Sequence, residues 1–99
     1  MPKAAIFLPA AQRDVAEIHD YYESHGEGLG GDFLLRVEAA VAHAAEWPES
    51  CPIVMDVFRR ILTRRFPYAL FYEIAGASIW VHAVFHCARN PRTVRERLQ

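Results

Sequence analysis

Lysine is almost missing from this sequence. Lys3 is the single example among 11 basic residues, so every other positive charge sits on arginine. Cysteine is scarce too: Cys51 and Cys87 allow one disulfide at most, and a chain that is 53% hydrophobic builds a core without a covalent staple, which suits a reducing cytoplasm. No apolar run approaches the roughly 18 to 20 residues of a membrane span, and Met1-Pro2-Lys3 does not lead into the apolar stretch of a secretion signal. Neither a membrane nor a secreted location is expected. CxxC and HExxH motifs are absent, and Ser24, Ser50 and Ser78 lack a Gly-x-Ser-x-Gly setting, so no metal, no cofactor and no serine nucleophile is expected. Ninety-nine residues leave room for one domain, 1–99.

What is present is a polarised charge. Residues 1–50 carry Lys3, Arg13 and Arg36 against nine acids, a net of −6, whereas 51–99 carry eight arginines against Asp56, Glu73 and Glu96, a net of +5. The planar fork of arginine matches phosphate and carboxylate oxygens two bonds at a time, which a lysine surface does not. The split points to an anionic partner or to neutralisation of one half by the other.

Ala4–Leu8 is apolar, ends at Pro9 and reads as a strand. Ala11, Val15, Ile18 and Tyr22 then recur at helical spacing with acids between them, Pro9 suiting the first turn and Gly26 the end. Residues 26–31 hold four of the five glycines and predict a turn; without a following Lys-Ser/Thr they do not make a phosphate loop. Asp32 is expected to cap a second helix, whose stripe of Phe33, Val37, Ala40, Val41, Ala44 and Trp47 ends at Pro48. The two helices form an antiparallel hairpin.

Strands are expected over 53–62, 68–74 and 79–86, and Pro91 to Gln99 reads as a basic tail, helical or disordered. A tight turn at Ala75-Gly76-Ala77-Ser78 pairs residues whose numbers sum to 153, placing Tyr68, Leu70, Tyr72, Ile74, Ile79, Val81, Ala83 and Phe85 on one apolar face. Ala69, Phe71, Glu73, Trp80, His82, Val84 and His86 fall on the other, mixed face. The expected architecture is therefore α+β: an antiparallel sheet, β-α-α-β-β-β, with the helix hairpin on its apolar face and function on the other. Four strand residues separate His82 from His86 by roughly 13 Å, too far for a shared metal.

Arg59, Arg60, Arg64, Arg65, Arg89 and Arg92 lie on or at the ends of strands whose mixed face also bears Phe71, Trp80, His82 and His86. Arginine neutralises phosphate, aromatics stack on bases, and imidazole moves protons near neutral pH, so this surface suits RNA or an acidic protein segment. Packing within the protein is the other reading of Phe71 and Trp80.

The order of elements resembles the RelE/ParE toxin superfamily over nearly the whole chain. So do the segments Arg60-Ile-Leu-Thr-Arg-Arg-Phe-Pro-Tyr-Ala-Leu-Phe-Tyr-Glu-Ile74 and Ile79-Trp-Val-His-Ala-Val-Phe-His-Cys-Ala-Arg-Asn-Pro-Arg92. Phe66-Pro67-Tyr68, Tyr72 and His86-x-x-Arg89-x-Pro91 are the most specific pieces, supported by Asp14-x-x-x-Ile18 and Tyr21-Tyr22. The resemblance implies a bacterial toxin of a type II toxin-antitoxin module, held in a hetero-oligomer with an antitoxin that wraps around it. The near absence of lysine and the His-x-x-Arg-x-Pro ending resemble ParE-like plasmid-stabilisation proteins, which implies inhibition of DNA gyrase without bond cleavage. Arg59, Arg60, Arg64, Arg65, His86, Arg89 and Arg92 would then meet the target, and Phe71, Trp80 and His82 the antitoxin. The alternatives are a degenerate toxin that only binds its antitoxin, or a RelE-like, metal-independent endoribonuclease acting on messenger RNA at the ribosome. In that last reading Arg60 and Arg89 would hold the phosphate, with His82, His86 and Tyr72 moving protons.

Overall fold

The helix hairpin follows from its apolar spacing, but its corner is built differently from expectation. In the computed structural model, which describes residues 1–99, strand β1 (Ala4–Phe7) leads into α1 (Pro9–His25), and Ala11, Val15, Ile18 and Tyr22 turn toward the core. Helix α2 (Leu29–Glu46) starts three residues before Asp32, which lies inside its first turn and caps nothing. Gly28 holds the N-cap with φ 86°, a left-handed conformation that only glycine adopts without strain. The orphan amides of the new helix are taken by a side chain of α1: the two Glu23 carboxylate oxygens accept from Gly28 N (3.0 Å) and Gly30 N (2.9 Å). These two bonds hold the Glu23 carboxyl below the ordinary glutamate range. Gly30 lets the helices touch, since a Cβ there would stand 2.6 Å from the His19 ring and 2.9 Å from its carbonyl oxygen. Trp47 ends α2 instead of extending its stripe and is 60% exposed.

The sheet runs β1-β5-β4-β3-β2, with β2 Ile53–Met55, β3 Phe58–Leu62, β4 Tyr68–Ala75 and β5 Ser78–His86. The apolar run 53–62 is two strands, not one, because Asp56 (φ 51°) turns the chain between them. The sheet is antiparallel except at one edge, where β1 lies parallel to β5 with Ala4 opposite Ser78 and Phe7 opposite Val81. It is therefore mixed.

A single irregularity decides which residues face which way. Ile74 pairs with Ile79 and Tyr72 with Val81, as the tight-turn register requires, but beyond them Phe71 pairs with Ala83, Leu70 with Val84 and Tyr68 with His86. His82 is the extra residue of a β-bulge, and one inserted residue exchanges the faces of everything after it. Val84, expected on the mixed face, lies beneath the helices with Phe33, Tyr68, Leu70, Tyr72, Ile79 and Val81, and His86, expected on the mixed face too, changes sides with it and pairs with Tyr68. Ala83 and Phe85, expected beneath the helices, join Phe58, Ala69 and Phe71 on the far face.

That far face is partly roofed. The basic tail is a helix, α3 (Pro91–Leu98), opened by Pro91 and capped by Asn90 Oδ1, which accepts from Arg92 N at 2.8 Å. Leu98 seals the second apolar cluster, with Val94 beside it. Because β1 ends at Phe7, the rest of β5 has a bare edge, and α1 covers it: Asp14 Oδ2 accepts from Val84 N at 3.0 Å and from Arg97 Nη2 of α3 at 2.6 Å. One carboxylate thus satisfies a strand amide and ties α3 to α1 across the edge.

Candidate functional site

Between α3, the far sheet face and the β2–β3 hairpin lies a cleft of about 230 Å³. Ala69, Phe71, Val94 and Leu98 make an apolar floor, and Arg60, His86, Cys87, Arg89 and Arg95 make a polar rim with no carboxylate among the lining residues. Arg60 reaches it because alternation along β3 sends Phe58 and Arg60 to the far face and Arg59 and Ile61 toward the helices. Arg89, just past the end of β5, has its guanidinium 5.0 Å from the Phe85 ring centre, and Arg97 lies 5.2 Å from the same ring. The phenyl group thus orients two cations at once.

His86 is exposed, set edge-on to Tyr68 with ring centres 5.3 Å apart. Its Nδ1 accepts from Ala88 N at 2.9 Å, which leaves Nε2 as the ring nitrogen without a partner in the protein. His82 turns to the far face, packing edge-on to Phe58 and bonding through Nε2 to Glu73 Oε1 at 3.1 Å. Tyr72 lies on the opposite side of the sheet. It is 1% exposed and donates to Pro48 O at 2.8 Å, and burial pushes its phenol well above the ordinary tyrosine range.

The other expected residues scatter. Arg59 Nη1 donates to Cys51 O (2.7 Å) and Glu49 O (3.2 Å), tying down the loop before β2. Arg64 and Arg65 occupy the β3–β4 turn, where buried Thr63 donates from Oγ1 to Phe66 O at 2.6 Å and Arg65 adopts φ 71°. Arg64 and Arg60 also line a larger groove of about 530 Å³ between α2 and β3, together with Arg36 and His43. Arg92 is exposed on α3 but lines neither cavity. Trp80 is half-buried, with Nε1 3.4 Å from Ala75 O, and Phe71 is 6% exposed, covered by the protein's own far-face core. Sequence reasoning missed Arg36 and Arg95, whose signal was only that each is an arginine on a helix.

The structure therefore brings Arg60 and Arg89 to one cleft, leaves His86 at its margin on the Tyr68 side of the sheet, keeps His82 engaged with Glu73, and removes Tyr72 to the helix face. Nowhere do three His, Cys, Asp or Glu side chains converge as metal ligands would. What the site offers is fixed positive charge over an apolar floor, suited to gripping anionic groups.

No curated protein is similar enough in sequence to be matched. Among solved structures, a chain described as "Chromosomal ParDE TA system from P. aeruginosa" superposes with a TM-score of 0.75 at 15% identity. The match covers 85% of this chain and 95% of that one, and at such identity it establishes the fold alone. A family model described as "ParE toxin of type II toxin-antitoxin system, parDE" matches residues 5–91, which is most of the chain. The chain belongs to the ParE toxin family.

Proposed function

We propose that this protein is the toxin of a type II toxin-antitoxin module, that it acts in the cytoplasm by inhibiting DNA gyrase, and that a cognate antitoxin neutralises it in a hetero-oligomer. Family membership supports the module. The observation that carries the mechanism is the separation of the residues a ribonuclease would need. The Tyr72 phenol is buried on the helix side and bonded to Pro48 O, His82 is bonded to Glu73, and the His86 Nδ1 is occupied by a backbone amide. General acid-base catalysis needs two proton-transfer groups within hydrogen-bond reach of one phosphate, and of these three only His86 borders the arginine cleft, from the Tyr68 side of the sheet.

Gripping needs less. Arg60, Arg89 and Arg95 present free guanidinium groups over Phe71 and Leu98, and charge-assisted contacts from such a rim bind an anionic surface without breaking a bond. Of the residues expected to meet the antitoxin, Trp80 and His82 stay partly accessible, whereas Phe71 becomes available only if α3 lifts from the sheet. The acidic first half and arginine-rich second half favour fast, salt-sensitive association with an oppositely charged segment.

The test is a supercoiling assay with purified gyrase, run beside mapping of messenger RNA ends after induction in cells. Arg89→Ala is expected to weaken gyrase inhibition at least tenfold while His86→Ala retains it. Messenger RNA cleavage abolished by His86→Ala, with gyrase unaffected by the wild-type protein, would overturn the proposal in favour of the ribonuclease.

A further inference from the structure

Only two of the arginines on this protein have an acceptor within the molecule. Arg97 pairs with Asp14 and Arg59 with backbone carbonyls; no other arginine makes an ion pair or a side-chain hydrogen bond. Six of the unpaired ones are contiguous. Arg65 and Arg36 line one shallow cavity, Arg36, Arg64 and Arg60 line the groove between α2 and β3, and Arg60, Arg89 and Arg95 line the cleft under α3. Each cavity shares an arginine with the next, so the lining residues run in one track from α2, past the β3–β4 turn and round β3, to the far sheet face. Asp32, beside Arg36 and Arg65, is the only carboxylate lining any of the three, and it pairs with neither.

We propose that this track binds the phosphodiester backbone of DNA without regard to sequence. A row of unpaired guanidinium groups is the complement of a row of phosphates, and arginine forks match phosphate oxygens two bonds at a time. The only aromatic ring lining the track other than a histidine is Phe71, which is buried, so bases have no platform to stack on and contact with the backbone is the mode that remains. The first half carries nine acids, four of them on α1 and three on α2, against the arginine-rich second half, and this polarity orients the track toward a polyanion on approach. The proposal goes beyond the gyrase reading and concerns DNA alone, so either can fail without the other.

The experiment is fluorescence anisotropy of a labelled 20-base-pair duplex titrated with the purified chain from about 50 to 200 mM salt. Six contacts, at about 0.9 per phosphate neutralised, predict a log–log slope near −5, or roughly a thousandfold loss of affinity over that range. Arg36→Ala and Arg64→Ala, far apart from the Arg89 rim, are each expected to flatten the slope by about 0.9. Arg13→Ala, on the exposed side of α1, leaves it unchanged, and thermal melts confirm that all three variants stay folded. A slope weaker than about −2, or an equal effect of Arg13→Ala, overturns the track. Displacement of the duplex by polyglutamate at equal charge concentration overturns the nucleic-acid assignment and makes the track a surface for an acidic polypeptide.

Discussion

Replacing Asp14 with alanine tests how the sheet edge is held. The carboxylate makes two bonds of different kinds, to the amide of Val84, a residue 1% exposed, and to Arg97 of α3. Leaving a buried amide without an acceptor costs about 1–3 kcal/mol. The ion pair adds less, because the Asp14 and Arg97 side chains keep 14% and 26% of their exposure and water screens them; about 1 kcal/mol is a fair allowance. Asp14→Ala is thus expected to cost about 3 kcal/mol, against about 1 kcal/mol for Asp14→Asn, which keeps an acceptor for Val84 N, and about 1 kcal/mol for Arg97→Ala. For a domain of this size each kcal/mol moves the melting temperature by roughly 4–8 °C, so urea titration and thermal melts resolve the series. The double variant Asp14→Ala/Arg97→Ala should cost less than the two singles together, since the pair is counted once. If Asp14→Ala were no worse than Arg97→Ala, the strand amide would have another partner and the edge-capping argument would be wrong.

Three further outcomes rest on the helix corner and on Tyr72. Gly30→Ala should destabilise the hairpin by about 1–3 kcal/mol in equilibrium unfolding, because its methyl group meets the His19 ring and carbonyl, whereas Gly31→Ala, with nothing within 4 Å, should not. Glu23 binds two amides as a carboxylate, so its folded-state ionisation lies low; the stability it adds is present above the ordinary glutamate range and is lost as pH falls through the depressed value. The gap in melting temperature between wild type and Glu23→Gln should therefore be full at neutral pH and close in acid. Tyr72→Phe should cost about 1 kcal/mol for the bond to Pro48 O and leave toxicity intact when growth arrest is measured at matched expression; loss of toxicity in a folded variant would put the phenol in the mechanism.

Much of this protein was decided locally and was legible in the residues. The helical spacing of Ala11, Val15, Ile18 and Tyr22, the glycine corner, the strand-rich second half and the charge split each depend on neighbours a few positions away. So did the helix-packed placement of Tyr68, Leu70 and Tyr72, because the alternation along β4 is uninterrupted. Tertiary structure decided what depends on distant atoms. The bulge at His82 moved Val84 under the helices and Phe85 away from them, and nothing in the alternation of β5 marks where a residue is inserted. Glu23 replaced Asp32 as the cap of α2 because a neighbouring helix brought a carboxylate to the amides first. Parallel pairing of β1, the roofing of Phe71 by α3, and the gathering of Arg36, Arg60 and Arg89 along one surface all join segments separated by tens of residues, where periodicity carries no information and only packing does.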